Sequence, residues 1–211
     1  SYKDFVPVGT PEMSINGKPG KLVKVDDTTV DFVFDEPYPM FVDILSAFTM
    51  LGAGYALGST SFGGFGGPYA PAHYLKQFHP RYVGDAELDK KVKEAKFDSW
   101  VRMFSAKNDW ALNPDLPVLS PWRTVTPINT PTWTLERNPY SVFVDTAGNQ
   151  LPYIDKVVLT LAENLEVINL RAIAGEYDYA SRHMDLGKLP VFLENQQKGN
   201  YKVYLDPGDY C

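Results

Sequence analysis

The chain is short of the residues on which several kinds of protein depend. It has one cysteine in 211 residues, Cys211 at the last position. A single thiol closes no internal disulfide and is too few for a cysteine-based zinc site. There is no run of about 18 apolar residues, so no segment is suited to cross a membrane as a helix. Twenty basic side chains against 26 acidic ones give a formal charge of −6. With no surplus of Lys and Arg to neutralise phosphates, a nucleic-acid partner is not expected. The start, Ser1-Tyr2-Lys3-Asp4-Phe5, lacks the basic and apolar regions of a secretion signal.

Catalytic motifs are equally scarce. No G-x-x-x-x-G-K-[ST] phosphate loop, G-x-S-x-G elbow or G-x-G-x-x-G fingerprint occurs. His73, His79 and His183 stand in no metal-binding spacing, so neither a metal nor a cofactor is expected. His73 and His79 flank a short amphipathic stretch and read as structural. Carboxylates are plentiful, and Glu176 with Asp178 can be nominated as an acid/base pair, since positions two apart on a strand share a face.

What is present suffices for a core: 44% of residues are apolar and 14% aromatic. Lys21–Val25 and Thr29–Phe34, around Asp26-Asp27-Thr28, predict a β-hairpin with one buried face. Phe41, Ile44, Leu45, Phe48 and Leu51 recur at helical spacing. Seven of the 16 glycines then fall between Gly52 and Gly67, mixed with Tyr55, Phe62 and Phe65. This is a surface loop or a loop whose backbone approaches a ligand. Helices are predicted from Pro71 to Phe78, from Asp85 to Lys96 and from Phe97 to Ala106. Five prolines between Asn108 and Pro131 impose extended structure and loops. Thr132–Arg137 reads as a strand ended by Asn138-Pro139, and Ala147-Gly148-Asn149 as a turn. From Lys156 the expected order is strand, helix capped by Asn164 and closed by Gly175, strand (Tyr177–Ala180), helix (Pro190–Gln197), strand (Tyr201–Leu205). That rhythm predicts an α/β fold, a mixed sheet flanked by helices.

Five pieces in order carry a resemblance. They are Val25-Asp26-Asp27-Thr28-Thr29-Val30, Pro71-Ala72-His73-Tyr74-Leu75-Lys76-Gln77-Phe78-His79-Pro80, Glu136-Arg137-Asn138-Pro139-Tyr140, Gly148-Asn149-Gln150-Leu151-Pro152-Tyr153-Ile154-Asp155, and Ala174-Gly175-Glu176-Tyr177-Asp178. The series closely resembles that of the family 5 extracellular solute-binding proteins, the peptide, nickel and oligosaccharide receptors of bacterial ABC importers. It runs from about Lys21 to Leu205. The resemblance implies a two-lobed, periplasmic-binding-protein-like (type II) fold, of which 211 residues are an internal stretch, with the opposite lobe after Cys211. It implies residues 1–68 as the end of a small extra subdomain. Residues 69–211 are then part of the first lobe, with a helical insertion at 69–110.

The implied function is capture of a peptide- or oligosaccharide-like solute between two lobes and delivery to a transmembrane ABC permease. The protein would be periplasmic or extracytoplasmic, with no direct membrane insertion, no cofactor and no catalytic residue. Ser181, Arg182 and His183, after the strand at Tyr177–Ala180, are the expected cleft residues, because ligands gather at the carboxyl ends of strands in open α/β sheets. Arg182 could hold a carboxylate or phosphate, or instead pair with Asp185 at the surface. Trp110 and Trp122 are candidate stacking surfaces, whereas Trp133 suits core packing. The competing readings are a secreted glycan or peptide hydrolase using a carboxylate pair, and a stand-alone interaction module.

Overall fold

The computed structural model describes residues 11–46 and 70–205. The expected helix beyond Ser46, the glycine-aromatic stretch, the 68/69 boundary and Cys211 lie outside the described residues. The chain divides into two units, Ser1–Leu159 and Thr160–Cys211.

Unit 1 opens with two small hairpins. Strands β1 (Ser14–Ile15) and β2 (Lys18–Pro19) pair antiparallel around Asn16-Gly17, both with positive φ. Asn-Gly supplies that backbone at little cost, which is why it marks two-residue hairpin loops. Strands β3 (Lys21–Lys24) and β4 (Val30–Val33) form the expected second hairpin, with Leu22 opposite Phe32. Asp26 closes its turn by accepting from the Thr28 N–H at 2.8 Å. These bonds to the ionised form hold the Asp26 carboxyl below the usual range.

The buried face expected of this hairpin is only partly realised. Phe32 and Phe34 pack with Phe41, at ring centroids of 5.0 and 4.8 Å, at the start of helix α1 (Phe41–Ser46). Leu22, on the same face as Phe32, is 62% exposed, and Val23, Val25, Val30 and Val33 are also exposed. A two-stranded ribbon has too little surface to cover its own apolar side chains.

The helical part begins at α2 (Ala72–Leu75), which runs through a 3-10 turn (Lys76–Phe78) into α3 (Pro80–Val83), α4 (Asp85–Glu94) and α5 (Trp100–Lys107). Leu88 and Val92, one helical turn apart on α4, bury against Met103 of α5, with Phe78, Phe97 and Trp100 around them. Ser99 caps α5 by accepting from the Arg102 N–H at 3.3 Å.

His79 caps α3, its Nδ1 accepting from the Arg81 N–H at 3.2 Å, and its ring packs 5.3 Å from Trp100 and 5.7 Å from Phe104. Burial, with the neighbouring Arg81 guanidinium, pushes the His79 imidazole below its ordinary pKa. Protonation removes the lone pair that accepts the cap bond. A lowered histidine pKa stabilises the fold above the unfolded value of about 6.5, and that stabilisation is lost as pH falls through the folded value. His79→Asn keeps a capping side chain without the titration. Its thermal midpoint is expected to fall less between pH 7 and pH 5 than that of the parent chain, by up to the value of one cap, about 1 kcal/mol. Parallel pH profiles in a thermal melt would count against this role.

Past the prolines lies a three-stranded sheet in the order β5 (Trp122–Thr126), β6 (Thr132–Arg137), β7 (Lys156–Thr160). Strands β5 and β6 are antiparallel, with a register shift between Thr124 and Thr126. The segments that carry the family resemblance knit this sheet together. Asn138, 3% exposed, donates from Nδ2 to the Val118 and Ser120 carbonyls and accepts from the Tyr140 N–H. The Arg137 N–H donates to the Asp155 carbonyl at 2.8 Å. Gln150 donates from Nε2 to the carbonyls of Pro139 and Ser141, each at 2.9 Å. Asp145 accepts from the N–H groups of Ala147 and Asn149 and from the Tyr153 hydroxyl. These donors hold its carboxyl well below the usual range. Gly148, with φ +85°, occupies the expected turn, and the Leu151–Pro152 bond is cis.

Unit 2 contains α6 (Leu165–Ala174) and α7 (Leu189–Gly199). Asn164 caps α6 through its Oδ1, which accepts from the Val167 N–H at 3.0 Å, and Gly175 ends it at φ +79° in the left-handed region. Two expected strands are not formed: Tyr177–Ala180 and Tyr201–Leu205 are irregular. Aromatic alternation suits a strand only where a ladder partner exists to take its backbone groups, and neither segment has one among the described residues. In the described residues no helix is long and apolar enough to cross a membrane.

Candidate functional site

The three cleft residues expected from the sequence lie in one exposed turn of unit 2. Ser181, Arg182 and His183 are all exposed, and His183 has φ +63°. A strand end was expected to place them. With Tyr177–Ala180 irregular, that premise does not hold, and the turn is placed from below by α6. Asn169, 2% exposed, donates from Nδ2 to the His183 carbonyl at 3.2 Å, and its Oδ1 accepts from the Asp185 N–H at 2.9 Å. Asn169 did not emerge from the sequence reading. Its signal was present nonetheless, as an amide interrupting the apolar run Val167-Ile168 and Leu170.

The expected alternative for Arg182, a surface pair with Asp185, is not formed. Asp185 instead caps a short 3-10 turn (Leu186–Lys188), its Oδ1 accepting from the Gly187 N–H at 2.9 Å. Among the described residues Arg182 has no ion-pair partner. Its guanidinium therefore offers a planar fork of donors to solution, the geometry that takes a carboxylate in two parallel bonds. Nearby on α6, Glu166 is already engaged by Lys188.

The tryptophans belong to unit 1. Trp110 packs on Trp133 at 5.2 Å between ring centroids, tilted by 55°. The Trp133 indole N–H donates to the Thr124 hydroxyl at 3.2 Å, and that of Trp122 to the Ile154 carbonyl at 3.2 Å. Both Trp110 and Trp122 are half-buried. Trp110 is thus brought together with Trp133, while the Trp122 N–H is committed to the loop that carries Leu151–Asp155.

The nominated acid/base pair does not assemble. Glu176 lies 3.8 Å from Arg171 with its side chain 58% exposed, and Asp178 is exposed on irregular backbone. No strand places the two carboxylates on one face. A shallow open depression at the end of α7, lined by Gln196, Gln197, Asn200, Tyr201 and Lys202, contains none of the expected site residues.

No family model matches the chain. The curated periplasmic alpha-galactoside-binding protein of Rhizobium meliloti (strain 1021) is 29% identical over 165 residues, 78% of this chain and 19% of that protein. Among solved structures, the oligopeptide-binding protein OppA shares 42% identity at a TM-score of 0.69, covering 87% of this chain and 27% of its own. The periplasmic binding protein MelB of Agrobacterium fabrum C58, solved with stachyose, superposes at a TM-score of 0.52 with 22% identity, over 85% of this chain and 22% of that one. The likeness to solute-binding proteins read from the sequence is thus found again in a curated binding protein and in solved folds. The chain spans only about a fifth to a quarter of their length. All three are named as binding proteins, and none supports the hydrolase reading.

Proposed function

We propose that this chain, a stretch of the scaffold of the ABC-importer solute-binding proteins, serves in the capture of an oligopeptide by such a receptor outside the cytoplasmic membrane. One observation carries the reading: 42% identity to an oligopeptide-binding protein along 87% of the chain, at a TM-score of 0.69. The sugar-binding relative is more distant, at 29% identity over 78% of the chain. An oligosaccharide ligand is therefore the second reading.

The mechanism requires no covalent chemistry. Solute binds between two lobes, and the closed state, which binds it better, gains population; hinge closure in periplasmic binding proteins is the general precedent. The closed form is then what a membrane permease receives. Nothing is turned over, in keeping with the lack of catalytic motifs in the sequence. Within this chain Ser181, Arg182 and His183 contact the solute. Arg182, exposed and without an ion-pair partner among the described residues, donates to the peptide's terminal or side-chain carboxylate.

A thermal-shift titration of the intact receptor tests this. Tri-alanine is expected to raise the midpoint, by the equivalent of about 2.7 kcal/mol at 100 times its dissociation constant, and raffinose to raise it less. Arg182→Ala is expected to weaken tri-alanine binding by roughly 10- to 100-fold, the value of a charged hydrogen bond. A shift with raffinose alone would move the assignment to sugars. Cleavage of either compound would overturn the receptor reading altogether.

A further inference from the structure

Asn169 sits in helix α6 among Leu165, Val167, Ile168 and Leu170, yet it is 2% exposed. Burying an amide is unfavourable unless its hydrogen bonds are made, and a leucine would fill the space without that requirement. Every polar atom of Asn169 is in fact used. Nδ2 donates to the Leu165 carbonyl within the same helix at 2.7 Å and to the His183 carbonyl at 3.2 Å, and Oδ1 accepts from the Asp185 N–H at 2.9 Å. What the amide does that leucine could not do is fix residues 183 and 185 from beneath.

The path it fixes is not one the backbone takes unaided. His183 adopts φ +63°, uncommon for any residue but glycine and costly unless surrounding contacts impose it. Asp185, held by its own N–H, then turns its carboxylate onto the Gly187 N–H and starts the next turn. Buried anchorage is thus devoted to an exposed turn whose outward side chains are Ser181, Arg182 and His183.

We propose that Asn169 is a positioning residue for solute capture, holding the turn at 181–185 in one shape so that Ser181, Arg182 and His183 meet the ligand already ordered. The inference rests on the receptor reading above, because those three side chains are assigned there to the solute. The advantage is preorganisation: a turn fixed before binding does not have to be ordered by the ligand.

The test uses the intact receptor with Asn169→Leu, which keeps the volume and removes the bonds, and Asn169→Asp, which keeps an acceptor for the Asp185 N–H. In Asn169→Leu the Asp185 amide is expected to exchange with solvent at least 10-fold faster, while the α6 amides keep their protection. Tri-alanine is expected to bind about 10-fold more weakly. Adding Arg182→Ala to Asn169→Leu is expected to cost less than Arg182→Ala alone, because a mispositioned guanidinium has less to lose. Asn169→Asp keeps that acceptor but turns a carboxylate oxygen towards the Leu165 and His183 carbonyls, so it is expected to recover neither the protection nor the affinity. If Asn169→Leu does not fold, Asn169→Ser, too short to span to residues 183 and 185, is read in its place.

Faster exchange at Asp185 with unchanged affinity would overturn the proposal and leave Asn169 a purely structural residue. Unchanged exchange would overturn it as well. If the parent receptor binds neither tri-alanine nor raffinose, the receptor reading itself fails and the proposal with it. The exchange data then still report whether the clamp exists, so the two failures are told apart.

Discussion

Gly175→Ala is expected to destabilise the α6–α7 unit by about 2–5 kcal/mol. Left-handed backbone costs a side-chain-bearing residue about 1–2 kcal/mol, and overpacking a tight contact costs about 1–3 kcal/mol more. Both apply here. Gly175 has φ +79°, and a Cβ built on it would lie 2.0 Å from the Gly199 carbonyl oxygen and 2.8 Å from its Cα. The obstacle is backbone, so no side chain can swing away to make room. Gly199 is hemmed in from its other side, where its own Cβ position meets the Tyr201 ring at 2.5 Å. The ends of α6 and α7 therefore meet backbone to backbone at Gly175, where a side chain has no room.

Native-state hydrogen exchange checks this at the right place. The α6 and α7 amides are expected to lose protection in Gly175→Ala while those of β5 and β6 keep theirs. Gly148→Ala is the control. It has the same sign of φ, at +85°, but nothing within 4 Å of the built Cβ, and should lose only the strain contribution, about 1–2 kcal/mol. Equal losses from the two substitutions would mean that the contact with Gly199 contributes nothing.

The second large effect is expected from Asn138→Ala, at about 3 kcal/mol. Removing the side chain strands three buried or partly buried groups at once: the carbonyls of Val118 and Ser120, reached at 3.0 and 2.9 Å, and the Tyr140 N–H, which donates to Oδ1 at 3.0 Å. An unsatisfied buried polar group costs about 1–3 kcal/mol, and some of these would recover water. Asn138→Asp should be no better, because a carboxylate keeps the acceptor but points a negative charge at two carbonyl oxygens. Urea unfolding followed by tryptophan fluorescence reads the result, since Trp122 and Trp133 flank this joint on β5 and β6. A loss below about 1 kcal/mol, the net value of a typical single hydrogen bond, would show that Asn138 is not the staple its geometry suggests.

These two residues also show how far reading the chain could go. Both were singled out in the sequence, Gly175 as a helix stop and Asn138 as the partner of a strand-ending proline, and both do those things. The larger part of their role comes from residues distant in the chain. Gly199 is 24 positions after Gly175, and Val118 is 20 before Asn138, so no local pattern announces either contact. The site follows the same division. Ser181, Arg182 and His183 were nominated because they follow the expected strand Tyr177–Ala180. Their support was misread, because the alternation of Tyr177, Asp178 and Tyr179 resembles a strand while the ladder that would make it one is missing. Asn169 holds that turn instead, sixteen residues before the Asp185 N–H from which it accepts.

By itself, then, the sequence determined what depends on neighbours along the chain: the hairpin at Asp26-Asp27-Thr28, the helix begun by Asn164, the left-handed stop at Gly175, and the ordered segments that resemble solute-binding receptors. Backbone preference and capping act over a few residues, so four or five letters suffice to read them. Tertiary structure alone decided which β-like runs found partners, that Arg182 stands free of Asp185, and that a buried amide holds the turn at 181–185. Those outcomes depend on which groups meet across 14 to 20 residues of chain and on which hydrogen bonds close there. Burial rewards such meetings only after the whole unit has packed.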